Sequence, residues 1–217
     1  MTVLLAGLLT FFAAAGWLDA APAPWNAAGA PIPAATNPNP GTLPRCADQE
    51  RPAATPEETQ VAAAGWKLER YWATDRAGDL VLVTATAGYD GMCRPWEFQG
   101  FAFAGGRLVG TLAPQPMRSR EDGTLVGTPK LSPDGLSAQF TRYKPTDPLC
   151  CPSGGRTTVE YAVRGGALVP TRITQAPAVP AQLPRTGGVP LPLGVLAGWL
   201  LGLSGLYVYS SARLRHS

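Results

Sequence analysis

Histidine is almost absent from this chain. The single one, His216, is the penultimate of 217 residues, so a folded domain upstream of it has no imidazole for general-base work or metal ligation. That excludes Ser-His-Asp and Cys-His mechanisms and histidine-based zinc or iron sites. Charge is also thin: 15% of the residues carry it, and the formal net charge is +3. The positive side chains are nearly all arginine and are spread along the chain. Gripping a nucleic acid takes a concentrated basic face, so no nucleic-acid partner is expected. Cysteine is missing before Cys46, which removes any acceptor for a lipid at the amino end. From this inventory we expect no catalytic residue, no cofactor, no metal and no enzymatic activity.

Two stretches lack charge altogether. The first, "MTVLLAGLLTFFAAAGWL", runs from Met1 to Leu18. With the small residues after it, it reads as a secretory signal peptide over residues 1–20. Cleavage is expected after Ala20, with Ala15 as the alternative. The second, "VPLPLGVLAGWLLGLSGLYVY", runs from Val189 to Tyr209. A helix from Leu193 to Tyr209 would be about 25 Å long, near the thickness of a bilayer core. Pro190 and Pro192 fall before or within its first turn, where a missing N–H costs little. Tyr207 and Tyr209 suit the interface, and Arg213 and Arg215 mark the cytoplasmic side. A transmembrane helix over residues 189–210 and a basic cytoplasmic tail over 211–217 are therefore expected.

Immediately ahead of that span lies Leu183-Pro184-Arg185-Thr186-Gly187. The order Leu-Pro-x-Thr-Gly, apolar span, short basic tail resembles the cell-wall sorting signal read by sortase transpeptidases. The resemblance implies that the Thr186–Gly187 bond is cut and that Thr186 is passed to an amine of the wall. Leu183, Pro184, Thr186 and Gly187 would be the recognition and attachment residues. The extended Leu-Pro pair suits a groove, because proline pre-sets the backbone and lowers the ordering cost. A plain membrane anchor whose linker happens to spell the motif is the alternative. The partners implied are a transient sortase-type enzyme, the membrane, and a wall polymer or envelope protein.

Between these ends, residues 21–44 are rich in proline and alanine without periodicity and read as an extended, disordered spacer. Residues 176–188 read as a second linker, carrying the sorting motif. The domain between them, residues 45–175, opens with a helix start: Thr55 as N-cap, Pro56 at the first helical position, Glu58 completing a capping box. The period then changes to two. "KLERYWA", "DLVLVTATA", "EFQGFAFA", "RLVGTLA", "GTLVGTPKL", "LSAQFTRY", "TTVEYAV" and "ALVPTRI" predict eight short strands. Gly105-Gly106 and Gly165-Gly166 have the spacing of primed hairpin turns, and Ser132-Pro133-Asp134-Gly135 makes a third. Gly100 is the expected bulge, placed to bring Trp96, Phe98, Phe101 and Phe103 to one side. The fold class is mainly β, an antiparallel sheet or sandwich with one short leading helix.

Four cysteines remain: Cys46, Cys93, Cys150 and Cys151. They lack zinc-knuckle spacing, and in an exported domain they read as disulfide staples. Bridging the neighbours to each other would strain the peptide between them. Cys150 and Cys151 are therefore expected to reach Cys46 and Cys93, although three pairings are open. "GMCRPWEFQGFAFAGGRLVGTLAP", "FTRYKPTDPLCCPSGG" and "TTVEYAV" resemble the LppP/LprE-like lipoprotein family of bacterial envelopes, over roughly Trp66 to Ile173. The resemblance implies an exported, envelope-bound domain and brings no catalytic residues. The reading is a surface-anchored binding or structural module. The rival is a glycan hydrolase using two carboxylates, drawn from Asp90, Glu97, Asp147 and Glu160.

Overall fold

A computed structural model of the chain describes residues 16–20, 22–36 and 44–177. They fall within one compact unit, Met1–Val179, and the second unit, Pro180–Ser217, lies outside the described residues. The same holds for most of the expected signal peptide, the sorting motif and the expected transmembrane helix. Among the described residues no helix is long and apolar enough to cross a membrane.

A 3-10 helix, Pro44–Gln49, leads into α1, Pro56–Ala63. The capping box forms: Glu58 N donates to Thr55 Oγ1 at 3.2 Å, and Thr55 N donates to Glu58 Oε2 at 3.2 Å. Two orphan amides at the helix start are thus satisfied reciprocally. Nine strands follow in two antiparallel sheets. The first sheet has the order β1 (Asp75–Ala77), β2 (Leu80–Thr86), β3 (Glu97–Ala104), β4 (Arg107–Thr111), with β5 (Met117–Arg118) also on β3. The second is a meander of β6 (Leu125–Ser132), β7 (Gly135–Thr141), β8 (Arg156–Arg164) and β9 (Ala167–Ala176). Gly105-Gly106 and Gly165-Gly166 join their strands in two residues, all four with φ between 55° and 79°. That left-handed backbone matches the twist of the flanking strands and favours glycine.

Lys67–Ala73, expected as a strand, makes only isolated bridges, Lys67 to Thr86 and Glu69 to Glu50. The free edge of β2 is taken instead by β1, in register Asp75 to Leu82. A strand cannot extend where its partner edge is already occupied.

The expected bulge at Gly100 is also absent. β2 and β3 pair without a shift from Leu80–Ala104 to Thr86–Phe98. The irregularity lies on the other side of β3, between Ala102 and Phe103 against β4. The aromatics are therefore divided between two cores. Phe98 joins Leu80, Leu82, Leu112, Phe140, Val159 and Tyr161 between the sheets. Phe101 and Phe103 join Val61, Trp66, Leu68, Val81 and Val83 on the opposite face, under α1. Strict alternation needs no bulge when both faces of a strand are buried. Leu112 fills the space a side chain at position 100 would need.

Residues 22–36 contain no helix or strand, yet they are tied to the domain. Ala35 N donates to Ala64 O at 3.0 Å, and Trp66 Nε1 donates to Pro33 O at 2.7 Å. Ile32 and Ala35 pack on the core beneath α1. Composition alone misses this, because the anchors are single side chains spaced irregularly along a proline-rich run.

Candidate functional site

The start of α1, the 67–75 segment and the loop before β3 are locked together by two devices. The first is Arg51. Its guanidinium donates to Glu58 Oε1 at 2.7 Å, to Glu69 O at 3.2 Å and to Trp72 O at 3.3 Å. Glu58 is 2% exposed. Although burial opposes its ionisation, hydrogen bonds from Arg51, Thr74 and Ala54 bring its pKa down to about 2. The second device is a disulfide between Cys46 and Cys93, with Cα atoms 5.2 Å apart. It ties the 3-10 helix to the loop between β2 and β3.

With Cys93 taken by Cys46, the expected pairing of Cys150 and Cys151 with those two residues does not occur. Cys150 and Cys151 are bonded to each other, and no described cysteine is free. Their loop is held by Asp147, which accepts from Lys144 N at 2.8 Å, Ser153 N at 2.6 Å and Ser153 Oγ at 2.6 Å. The Ser153 bonds hold the Asp147 carboxyl below its ordinary range.

Beside the Cys46–Cys93 bridge opens a cleft of about 740 Å³. Its walls are the 67–75 segment (Glu69, Tyr71, Trp72, Asp75), the 93–95 loop with Arg94, the start of β3 at Phe98, and residues 119–129 leading into β6. Trp72 packs its ring 5.5 Å from that of Phe98, whereas Tyr71 is 75% exposed at the rim. Glu69 is 4% exposed. Burial raises its pKa against the pull of the Tyr89 hydroxyl and the Tyr71 backbone, and the Glu50 charge adds to the rise. Burial raises the Asp75 carboxyl as well. Neither acid has an ion-pair partner among the described residues. A smaller depression of about 260 Å³ adjoins the cleft through Arg94, Pro95 and Ser119. It contains half-exposed Trp96, over which the Arg118 guanidinium sits at 5.6 Å, and exposed Leu149.

The four carboxylates expected from sequence are occupied elsewhere and are not paired with one another. Asp90 accepts from the Met92 and Arg94 amides and pairs with the Arg94 guanidinium at 2.6 Å. Despite the cost of partial burial, Arg94 and those amides hold it below its ordinary range. Glu97 accepts from Arg118 at 2.6 and 3.0 Å. Asp147 shapes the loop described above, and Glu160 faces Arg172 at 3.6 Å in the open. Sequence reasoning passed over Glu69 and Asp75. A signal existed at Glu69: it shares strand parity with exposed Tyr71, opposite the buried Trp66 and Leu68.

Residues 73–166 match the LppP/LprE lipoprotein family. No curated protein and no solved structure matches the chain. The match begins just before β1 and ends at the β8–β9 turn. It takes in Asp75, Arg94 and Phe98 but not Glu69, Tyr71, Trp72 or Cys46, so one wall of the cleft lies outside it. A match to this family is consistent with the cell envelope. The first cysteine of this chain, Cys46, is committed to a disulfide and is fully buried, so its sulfur cannot carry a lipid in the folded domain.

Proposed function

We propose that this chain is an exported envelope protein whose β domain binds a hydroxyl- or amino-bearing segment of a wall polymer in the cleft beside Cys93. The cleft carries this reading. It has an exposed tyrosine at its rim, an indole wall, and two carboxyls that pair with no cation among the described residues. Aromatic faces and acceptor-rich acids are the groups that hold polar, ring-built ligands in a groove. The test is sedimentation of the purified compact unit with insoluble cell wall. Tyr71→Ala and Asp75→Asn are each expected to reduce the bound fraction about fivefold or more without lowering the unfolding temperature. Equal binding by wild type and both variants would remove the cleft from the reading. Turnover of wall glycan that Glu69→Gln abolishes would replace binding by hydrolysis.

Attachment belongs to the same proposal. The sorting motif is read by a sortase-type enzyme, which joins Thr186 to the wall and releases the span from Gly187. What supports this is the order of motif, apolar run, and Arg213 and Arg215 in the sequence. Thr186→Ala is expected to move the protein from the covalently bound wall fraction to the detergent-extractable membrane fraction. Domain stability should stay within about 0.5 kcal/mol, since Thr186 belongs to the other unit, Pro180–Ser217. Full detergent extraction of the wild type with its tail intact would leave a simple membrane anchor.

A further inference from the structure

The segment expected to be cut away at Ala20 is built into the domain. Leu18 is 4% exposed within the core between the sheets. Trp17 stands edge-on to Phe140 at 5.0 Å and to Trp25 at 5.1 Å, and Trp25 stands edge-on to Tyr161 at 6.0 Å. Four aromatic rings are thus joined edge to face in series from β7 to β8 through the leading segment. Both carboxylate oxygens of Asp19 accept from Arg142 Nη2, at 2.7 and 2.9 Å. Arg142 is 8% exposed, and its Nε donates to Asp122 at 2.9 Å. Removing Asp19 would leave this buried guanidinium with one carboxylate instead of two.

The contacts continue through Asn26, which bridges the two sheets. Its side-chain amide donates to Thr111 O at the end of β4 (3.1 Å) and to Leu168 O in β9 (2.7 Å), and its oxygen accepts from Thr111 N at 2.6 Å. Gly110, with φ +147°, makes room for it, because a Cβ there would overlap the Asn26 amide. The leading segment is therefore a strap that closes the β4–β9 edge of the sandwich.

We infer that the leader is removed between Ala15 and Gly16, so that Trp17, Leu18 and Asp19 remain in the mature protein. The inference rests on the export reading above. Ala13-Ala14-Ala15 supplies the small–x–small pattern that a signal peptidase reads. A cut after Ala20 would put Leu18 in the first of the small positions. Ala21-Pro22-Ala23 fits the pattern too, but a cut there would also discard Trp17, Leu18 and Asp19. A leader is threaded through the membrane and cleaved from an unstructured chain, whereas these three residues belong to the finished core.

The experiment is intact-mass and amino-terminal analysis of the full chain recovered from the envelope of an exporting bacterium, beside Ala15→Leu and Ala20→Leu variants. The expected amino terminus is Gly16. Ala15→Leu should accumulate as the longer precursor, and Ala20→Leu should be processed like the wild type. A terminus at Ala21 or later, or a block caused by Ala20→Leu, would overturn the inference and leave export standing. An intact Met1 on protein displayed outside the cell would do the same. An intact Met1 on protein confined to the cytoplasm would overturn the inference and export together.

Discussion

Replacing Cys93 with serine is expected to lower the stability of the domain by about 4 kcal/mol, the chain-entropy value for a loop of this length. The Cys46–Cys93 bridge spans 47 positions, and that loop holds α1, the 67–75 segment and β2. Opening it frees the unfolded chain and unties the 3-10 helix from the cleft. Urea unfolding of the oxidised wild type and the variant gives the difference directly. The freed Cys46 thiol should be unreactive until the domain unfolds, because Cys46 is fully buried. By contrast, double replacement of Cys150 and Cys151 should change stability little, since a bridge between neighbours closes no chain loop. Non-reducing peptide mapping that joined Cys46 to Cys150 or Cys151 would contradict both expectations.

Glu58→Gln is expected to cost about 3 kcal/mol at neutral pH, the usual cost of leaving one member of a buried ion pair behind. A carboxyl at about 2 in the fold against its ordinary 4.5 gives a similar figure, at about 1.4 kcal/mol per unit. Because the folded value is depressed, the contribution is complete above the unfolded value and is lost as pH falls towards the folded one. The gap between wild type and variant should therefore shrink from about 3 kcal/mol at pH 7 to about 1.5 kcal/mol at pH 3. Glu69 and Asp75 act in the opposite sense. Their raised values mean that protonation stabilises the fold as pH falls through them, so they soften the acid limb. A gap independent of pH would show that Glu58 acts through packing and not through charge.

The local devices were legible in the sequence because each is written in consecutive residues. The capping box at Thr55 and Glu58, the two Gly-Gly hairpins and the alternation of β8 need only the period and the turn chemistry. What was not legible depends on who covers whom. The expected bulge at Gly100 puts Phe101 and Phe103 on the side of Phe98, which a strand with one buried face would require. Only the packing of α1 and Trp66 on the opposite face makes strict alternation sufficient. Lys67–Ala73 has the pattern of a strand but lost its edge to three residues, Asp75–Ala77, too short to stand out. The pairing of Cys46 with Cys93 depends on where a 3-10 helix docks, and spacing carries no trace of that. Glu69 and Asp75 became visible as a pair only when the chain turned between them to wall one cleft.

The strap has a consequence for the order in which the domain can assemble. Asn26 closes on Leu168, 142 positions away, and Asp19 on Arg142, 123 positions away. The first residues of the domain to be synthesised must therefore wait for nearly the last. Until β8 and β9 have arrived, Trp25 lacks the Tyr161 ring and Asn26 lacks its Leu168 acceptor. Contacts between such distant positions carry the largest loop-closure cost and form slowly. The chain thus emerges with its own fastener leading, and the sandwich is shut by the part that was made first.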